Sequence, residues 1–205
     1  MIVRRADPHL PEPMPYSHFN DYPADVRERA ARVRLACFDV DGTLTDGRLT
    51  FDGNGVETKS FHVHDGQGLV LLRKAGILPV LVTARPGAIA ERRAGELGIQ
   101  AHARVADKLA CVREIADGLG LSMEAVAFMG DDLADLRVMS NAGLSVAPAD
   151  AHCWVRERAH WRTRARGGEG AARELCDLLL AAQGRVEGII AEALEIADLG
   201  LGIRS

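Results

Sequence analysis

The stretch Val33-Arg34-Leu35-Ala36-Cys37-Phe38-Asp39-Val40-Asp41-Gly42-Thr43-Leu44-Thr45 decides the fold of this chain. It begins as an almost continuous apolar run of strand length and stops abruptly at two carboxylates one residue apart. A run that is apolar at successive positions leaves no face for water. It therefore reads as a strand buried on both sides, as in a parallel sheet covered by helices. Further runs of this kind occupy 77–82, 125–129 and 144–147, and helical patterns fill 68–75, 87–97, 108–119 and 133–141 between and after them. The alternation predicts an α/β fold, a Rossmann-like doubly wound parallel sheet. One segment departs from it. Residues 48–61 hold two β-prone runs around Asp52-Gly53-Asn54-Gly55, the signature of a β-hairpin, set as a flap directly after the first strand and its loop.

Three of the strands run into polar residues: Asp39 and Asp41 after the first, Thr83 after the second, and Asp131 and Asp132 after Gly130. Parallel strands end on one edge of the sheet, where open α/β folds bind ligands, so these side chains are expected to converge. Clustered carboxylates repel one another, and a cation is the natural resolution. An oxygen-only donor set with few protein ligands suits Mg²⁺. His62 and His64, at i and i+2 of an expected strand with no third partner nearby, read as polar side chains rather than a transition-metal site.

The rest of the chain narrows the function classes. With 25 basic and 29 acidic residues in 205, the net charge of −4 lacks the basic excess of a nucleic-acid grip. No apolar run reaches the roughly 18 residues of a membrane span, and residues 1–10 carry charge and proline where a signal peptide is apolar. No nucleic acid, no membrane and a cytoplasmic location are expected. The four cysteines (Cys37, Cys111, Cys153, Cys176) form no close pair and read as reduced thiols. Only three basic residues are lysines (Lys59, Lys74, Lys108), which singles each of them out. The expected organisation is a proline-rich N-terminal tail and short helix over 1–31, one domain over 32–184, and a C-terminal tail over 185–205. Between Asp41 and Thr83 lie 41 residues, and between Thr83 and Lys108 lie 24. Neither gap holds a separate cap domain. A capless site is open to water unless another chain covers it, which points to an oligomer.

The motif Asp39-Val40-Asp41-Gly42-Thr43 resembles the D-x-D-x-T signature of haloacid dehalogenase-type phosphohydrolases, and Thr83, Lys108 and Gly130-Asp131-Asp132 match that family's remaining motifs in order. The resemblance implies roles. Asp39 is the nucleophile and Asp41 the general acid and base, whose carbonyl holds Mg²⁺ with Asp39 and Asp131. Thr83 and Lys108 meet the phosphoryl charge. Asp132 and Asp135 stand behind the metal site, Asp132 the nearer.

The loop 42–47, the hairpin, Lys59-Ser60-Phe61, Asp65-Gly66-Gln67-Gly68, Gly167-Gly168-Glu169-Gly170-Ala171 and the segment 174–184 resemble the capless 3-deoxy-D-manno-octulosonate 8-phosphate phosphatases. This implies an eight-carbon sugar-acid phosphate as substrate, lipopolysaccharide precursor synthesis as setting, and a homotetramer with hairpins at its centre. It also implies that His62, Val63, His64, Asp65, Gly66, Arg85 and Arg93 face the substrate. Departures from the group's usual residues at Ala84, His62, His64, Val70 and Glu169 leave open a related nine-carbon sugar-acid phosphate. An accessory role like that of the δ subunit of phenylphosphate carboxylase also stays open, although the complete set Asp39, Asp41, Thr83, Lys108 and Asp131 favours hydrolysis.

Overall fold

In the computed structural model, which describes residues 22–200, the apolar runs become the middle of a six-stranded, all-parallel sheet. Its strands are β1 (Leu35–Phe38), β4 (Leu78–Val82), β5 (Gln100–His102), β6 (Val126–Met129), β7 (Leu144–Ala147) and β8 (Trp161–Arg162), in the spatial order β5-β4-β1-β6-β7-β8. The chain builds outward from β1 through β4 to β5 and then returns to the other side of β1 with β6. Register puts Phe38 opposite Leu81 on one side and Met129 on the other, so the three strands finish nearly level.

The two-residue period of the strands divides the core into two layers. Ala36, Phe38, Leu81, Ala127, Met129, Leu144 and Val146 face one way. There they meet α1 (Ala24–Arg32), α2 (Val63–Lys74), α3 (Ala88–Leu97) and α7 (Ala171–Ala182), through residues such as Val26, Leu72, Ala94 and Leu175. Leu35, Cys37, Val80, Val82, Val126 and Phe128 face the other way, against α4 (Lys108–Gly118), α5 (Leu133–Met139) and α6 (Cys153–Arg156). Helix α7 lies close on α2 because Gly68 offers no side chain: a Cβ there would sit 3.0 Å from Cβ of Cys176.

The expected hairpin is present as β2 (Thr50–Phe51) and β3 (Glu57–Thr58), with Thr50 opposite Thr58. Asp52 organises its turn by accepting the N–H groups of Asn54 and Val56 on Oδ1, both at 2.8 Å. Only this hairpin and α2 separate β1 from β4, and only α3 and β5 lie between Thr83 and Lys108. Among the described residues there is no separate cap. No described helix is long and apolar enough to cross a membrane. The four cysteines are unpaired thiols.

The structure departs from the sequence reading at three places. Helix α2 starts at Val63 rather than at residue 68, so His62 and His64 do not share a strand face. His62 is the N-cap, and its Nδ1 accepts the N–H of His64 at 3.3 Å. The glycines at 66 and 68 are poor helix formers and masked this first turn. The edge strands β5 and β8 and the short α6 did not stand out because their exposure is mixed, with no continuous apolar run. Finally, the segment expected as a C-terminal tail forms α8 (Val186–Gly200), whose Val186 and Ile189 pack on the core. Most of the expected N-terminal tail lies outside the described residues.

Candidate active site

Asp39 continues the β1 ladder by one bond, its N–H donating to the carbonyl of Met129 at 2.9 Å. The chain then turns sharply: Leu44 and Thr45 donate to the carbonyl of Val40 at 2.9 and 3.1 Å. The Thr45 hydroxyl oxygen accepts from the N–H groups of Gly42 and Gly47, each at 3.3 Å. Gly42 is required twice over. Its φ is +87°, and a Cβ would lie 2.1 Å from Oδ2 of Asp131. The turn thus brings the first loop hard against the loop after β6, and Thr43 donates its hydroxyl to Asp131 at 3.3 Å.

Asp135 builds that second loop. Its Oδ2 accepts the N–H groups of Asp131 and Asp132 at 3.0 and 3.3 Å, in a capping box with Asp132 as N-cap of α5. Its Oδ1 accepts from Lys108 at 2.6 Å, and the same ammonium donates to Oδ1 of Asp39 at 2.6 Å. Lys108 opens α4, behind the N-cap Asp107, which accepts the N–H of Ala110 at 3.1 Å. Thr83, also buried, directly follows β4. Its backbone pairs with His102 and Val105, and its hydroxyl oxygen accepts the N–H of Arg85 at 3.2 Å.

Carboxylate oxygens of Asp39, Asp131 and Asp135 lie within 4.8 Å of one another, with the Lys108 ammonium joining two of the three acids. Burial lifts the Asp39 carboxyl to about 6, with Asp135 adding to the rise and Lys108 opposing it. Burial, then the neighbouring Asp39 and Asp135, lifts Asp131 to about 8. Burial works against the Lys108 ammonium, but the two acids overcome it and hold its pKa above the ordinary value. The cluster is short of positive charge and offers only oxygens, which fits a hard divalent cation. The Asp41 carboxylate accepts from Lys59 of the hairpin segment.

A family profile described as haloacid dehalogenase-like hydrolase matches residues 102–175. A 3-deoxy-D-manno-octulosonate 8-phosphate phosphatase of Yersinia pestis is 44% identical over 165 residues, 80% of this chain and 88% of that protein. The chain belongs to the 3-deoxy-D-manno-octulosonate 8-phosphate phosphatase family. A member from Moraxella catarrhalis, solved in complex with a magnesium ion, a phosphate ion and a KDO molecule, superimposes with a TM-score of 0.81. It is 35% identical, covering 83% of this chain and 99% of that one. A hypothetical protein from Xanthomonas campestris is 57% identical with a TM-score of 0.86, over 87% of this chain and 98% of the other.

Within this family fold, the residues expected at the site separate into groups. Asp39, Thr83, Lys108, Asp131 and Asp135 stand on or beside the carboxyl edge of the sheet, with Asp41 two residues beyond Asp39. The expected order of the two rear acids is reversed. Asp132 is exposed and caps α5 through the N–H of Leu133, whereas Asp135 is buried inside the cluster. An N-cap side chain looks outward, while the third helical residue reaches back over the first turn.

Asp65 makes long-range bonds that nothing in the neighbouring sequence announces. It is buried, and its two oxygens accept the N–H groups of Gly170 (3.3 Å) and Arg173 (2.7 Å) at the start of α7. Burial raises its pKa against these two bonds. Asp65 ties α2 to α7, and it lines a small hollow with His62, Gly66 and Arg93. Gly66 packs against Arg93, whose guanidinium also lies 5.7 Å from the Phe61 ring centre and 3.3 Å from Glu96. His62, Val63 and His64 sit at the rim of α2, Val63 being 76% exposed. Arg85 reaches Oε1 of Glu57 at 2.9 Å and comes within 3.8 Å of Asp41. Glu57 and Lys59 were not among the expected site residues. Two signals pointed at Lys59: the scarcity of lysine, and its place in the Lys59-Ser60-Phe61 resemblance.

Proposed function

We propose that this chain is a Mg²⁺-dependent phosphomonoesterase that hydrolyses 3-deoxy-D-manno-octulosonate 8-phosphate to the free sugar acid and phosphate, in the cytoplasm, within lipopolysaccharide precursor synthesis. The observation that carries the reading is the buried Asp39–Lys108–Asp135 chain beside Asp131, with Asp41 two residues beyond Asp39.

A carboxylate oxygen of Asp39 attacks phosphorus, the bond from phosphorus to the sugar oxygen breaks, and Asp41 gives that oxygen a proton. The aspartyl-phosphate on Asp39 is then attacked by water. Asp41 takes the water proton, and the bond from phosphorus to Asp39 breaks to release phosphate. Lys108 holds Asp39 in line and offers positive charge where phosphoryl charge gathers. The Thr83 hydroxyl donates to a phosphoryl oxygen. Asp39 and Asp131, with the Asp41 carbonyl, would hold Mg²⁺, which when bound supplies further positive charge to the phosphoryl oxygens. Asp135 has both oxygens engaged, on Lys108 and on backbone N–H groups, so its part is to fix the loop and the lysine. Arg85, on the hairpin side of Asp41, suits the substrate's acidic groups.

The assembly belongs to the same reading. Leu49, Phe51 and Val56 of the hairpin segment are each half or more exposed, and an isolated two-stranded ribbon is marginal in water. A homotetramer that buries these hairpins would give the open site its missing walls. A phosphate-release screen over sugar-acid phosphates tests the function. The eight-carbon ester should be preferred over its nine-carbon relative, and EDTA should abolish turnover until Mg²⁺ is restored. No release from any sugar-acid phosphate in the presence of Mg²⁺ overturns it.

A further inference from the structure

The hairpin segment sends one side chain back into the site. Lys59, whose side chain is only 4% exposed, donates to Oδ1 of Asp41 and lies 3.2 Å from Oε1 of Glu57 on β3. The same Glu57 oxygen accepts from Nη2 of Arg85 at 2.9 Å, and Nε of Arg85 stands 3.8 Å from Oδ2 of Asp41. Two cations and two carboxylates thus close a ring whose charges balance, unlike the acid-rich cluster beside it. Glu57 shows the effect: burial would raise its pKa, but bonds from Lys59 and Arg85 hold it below the ordinary carboxylate range. Within the ring the two oxygens of Asp41 are unequal. Oδ1 is taken by Lys59, while Oδ2 is buried with no hydrogen-bond partner.

We propose that Lys59, set in place by Glu57, is a positioning residue for Asp41. It claims Oδ1 and turns Oδ2 toward the leaving oxygen of the substrate, so that the hairpin's placement governs proton transfer. The inference rests on the role of Asp41 proposed above. Lys59 touches neither phosphorus nor its oxygens. Its ammonium binds Asp41 and Glu57, whereas Lys108 is the ammonium that binds the nucleophile Asp39 and so stands beside the phosphoryl charge. The ring also gives the flap a mechanical consequence. A hairpin displaced from the sheet edge takes Lys59 and Glu57 with it, and Asp41 loses the partner that fixes its rotamer.

Leaving-group dependence reads this role directly. An alkyl ester needs a proton on its departing oxygen, whereas p-nitrophenol leaves without one. The quantity to compare is kcat/KM, which includes steps only through the first phosphoryl transfer and so omits hydrolysis of the aspartyl-phosphate. In the full-length chain with Mg²⁺, Lys59→Met should lower kcat/KM on the eight-carbon sugar-acid phosphate by about 100-fold or more, the usual scale of general-acid catalysis. On p-nitrophenyl phosphate the loss should stay below about tenfold. Glu57→Gln, which keeps Lys59 but loosens it, should show the same selectivity at smaller amplitude, and it decides the matter if Lys59→Met fails to fold. Glycerol 3-phosphate serves as a second alkyl ester, so failure of the wild type on the sugar acid alone would count against the substrate and leave the ratio readable. Equal losses on alkyl and aryl esters in folded variants, or no loss on alkyl esters, overturn the proposal.

Discussion

Removing metal should make this protein less stable as pH rises, the reverse of ordinary acid denaturation. The cause is the cluster of Asp39, Asp131 and Asp135, which shares one ammonium. Asp131 is lifted from 3.8 to about 8 and Asp39 from 3.8 to about 6. A carboxyl with a raised folded pKa binds its proton more tightly folded than unfolded. Its contribution is therefore whole below about pH 4 and is lost as pH climbs through 6 for Asp39 and 8 for Asp131. Each pKa unit corresponds to about 1.4 kcal/mol, so Asp131 alone sets an upper bound of about 4 kcal/mol between pH 5 and pH 8. Asp131 is partly open to solvent and titrates jointly with Asp39, which brings the expected cost to about 2–4 kcal/mol. For a chain of this length that is roughly 5–15 °C in melting temperature.

The assay is thermal and urea unfolding in EDTA at pH 5 and pH 8, comparing wild type with Asp131→Asn. The variant should be the more stable at pH 8 by about that margin, with the gap narrowing at pH 5. Mg²⁺ at a hundred times its dissociation constant should return about 2.7 kcal/mol to the wild type and little to the variant. A gap that does not change with pH, or equal stabilisation of both proteins by Mg²⁺, would refute the reasoning.

Other perturbations separate chemistry, packing and assembly. Asp39→Asn keeps the shape but removes the attacking charge, so phosphate release should fall by at least about 10⁴-fold with an unchanged circular dichroism spectrum; near-normal turnover would exclude Asp39 as nucleophile. Asp65→Ala strands the N–H groups of Gly170 and Arg173 and should cost about 2–4 kcal/mol in urea unfolding, while a neutral result would show that water replaces both bonds. Replacing residues 48–60 by a short glycine linker should give monomers in light scattering, with poor turnover of the sugar acid and slow hydrolysis of an aryl phosphate surviving. A shortened protein that remained tetrameric would sink the hairpin interface.

Much of the site is legible in the order of the amino acids. Apolar runs of strand length place β1, β4, β6 and β7, and parallel strands must finish on one edge, so Asp39, Thr83 and Asp131 have to meet. Lys108 is legible as the first residue of a helix whose N-cap is Asp107. These inferences rest on local periodicity and on a topological necessity, and both are written in nearest-neighbour patterns. The edge strands β5 and β8 carry no such pattern, because strands that face solvent in part need not be apolar throughout.

What only the tertiary structure decided depends on side-chain direction and on partners far along the chain. Asp132 and Asp135 are the N-cap and third residue of one helix, and the helix geometry after β6 turns one to water and the other onto Lys108. Asp65 gains its two N–H partners only when α7 arrives, more than a hundred residues later. Lys59 lies eighteen residues beyond Asp41 in the chain, across a turn of the hairpin, and nothing local says that they meet. Hydrogen bonds and ion pairs are made at contact distance, so composition sets which partners a chain can supply, and the packed fold sets which of them touch.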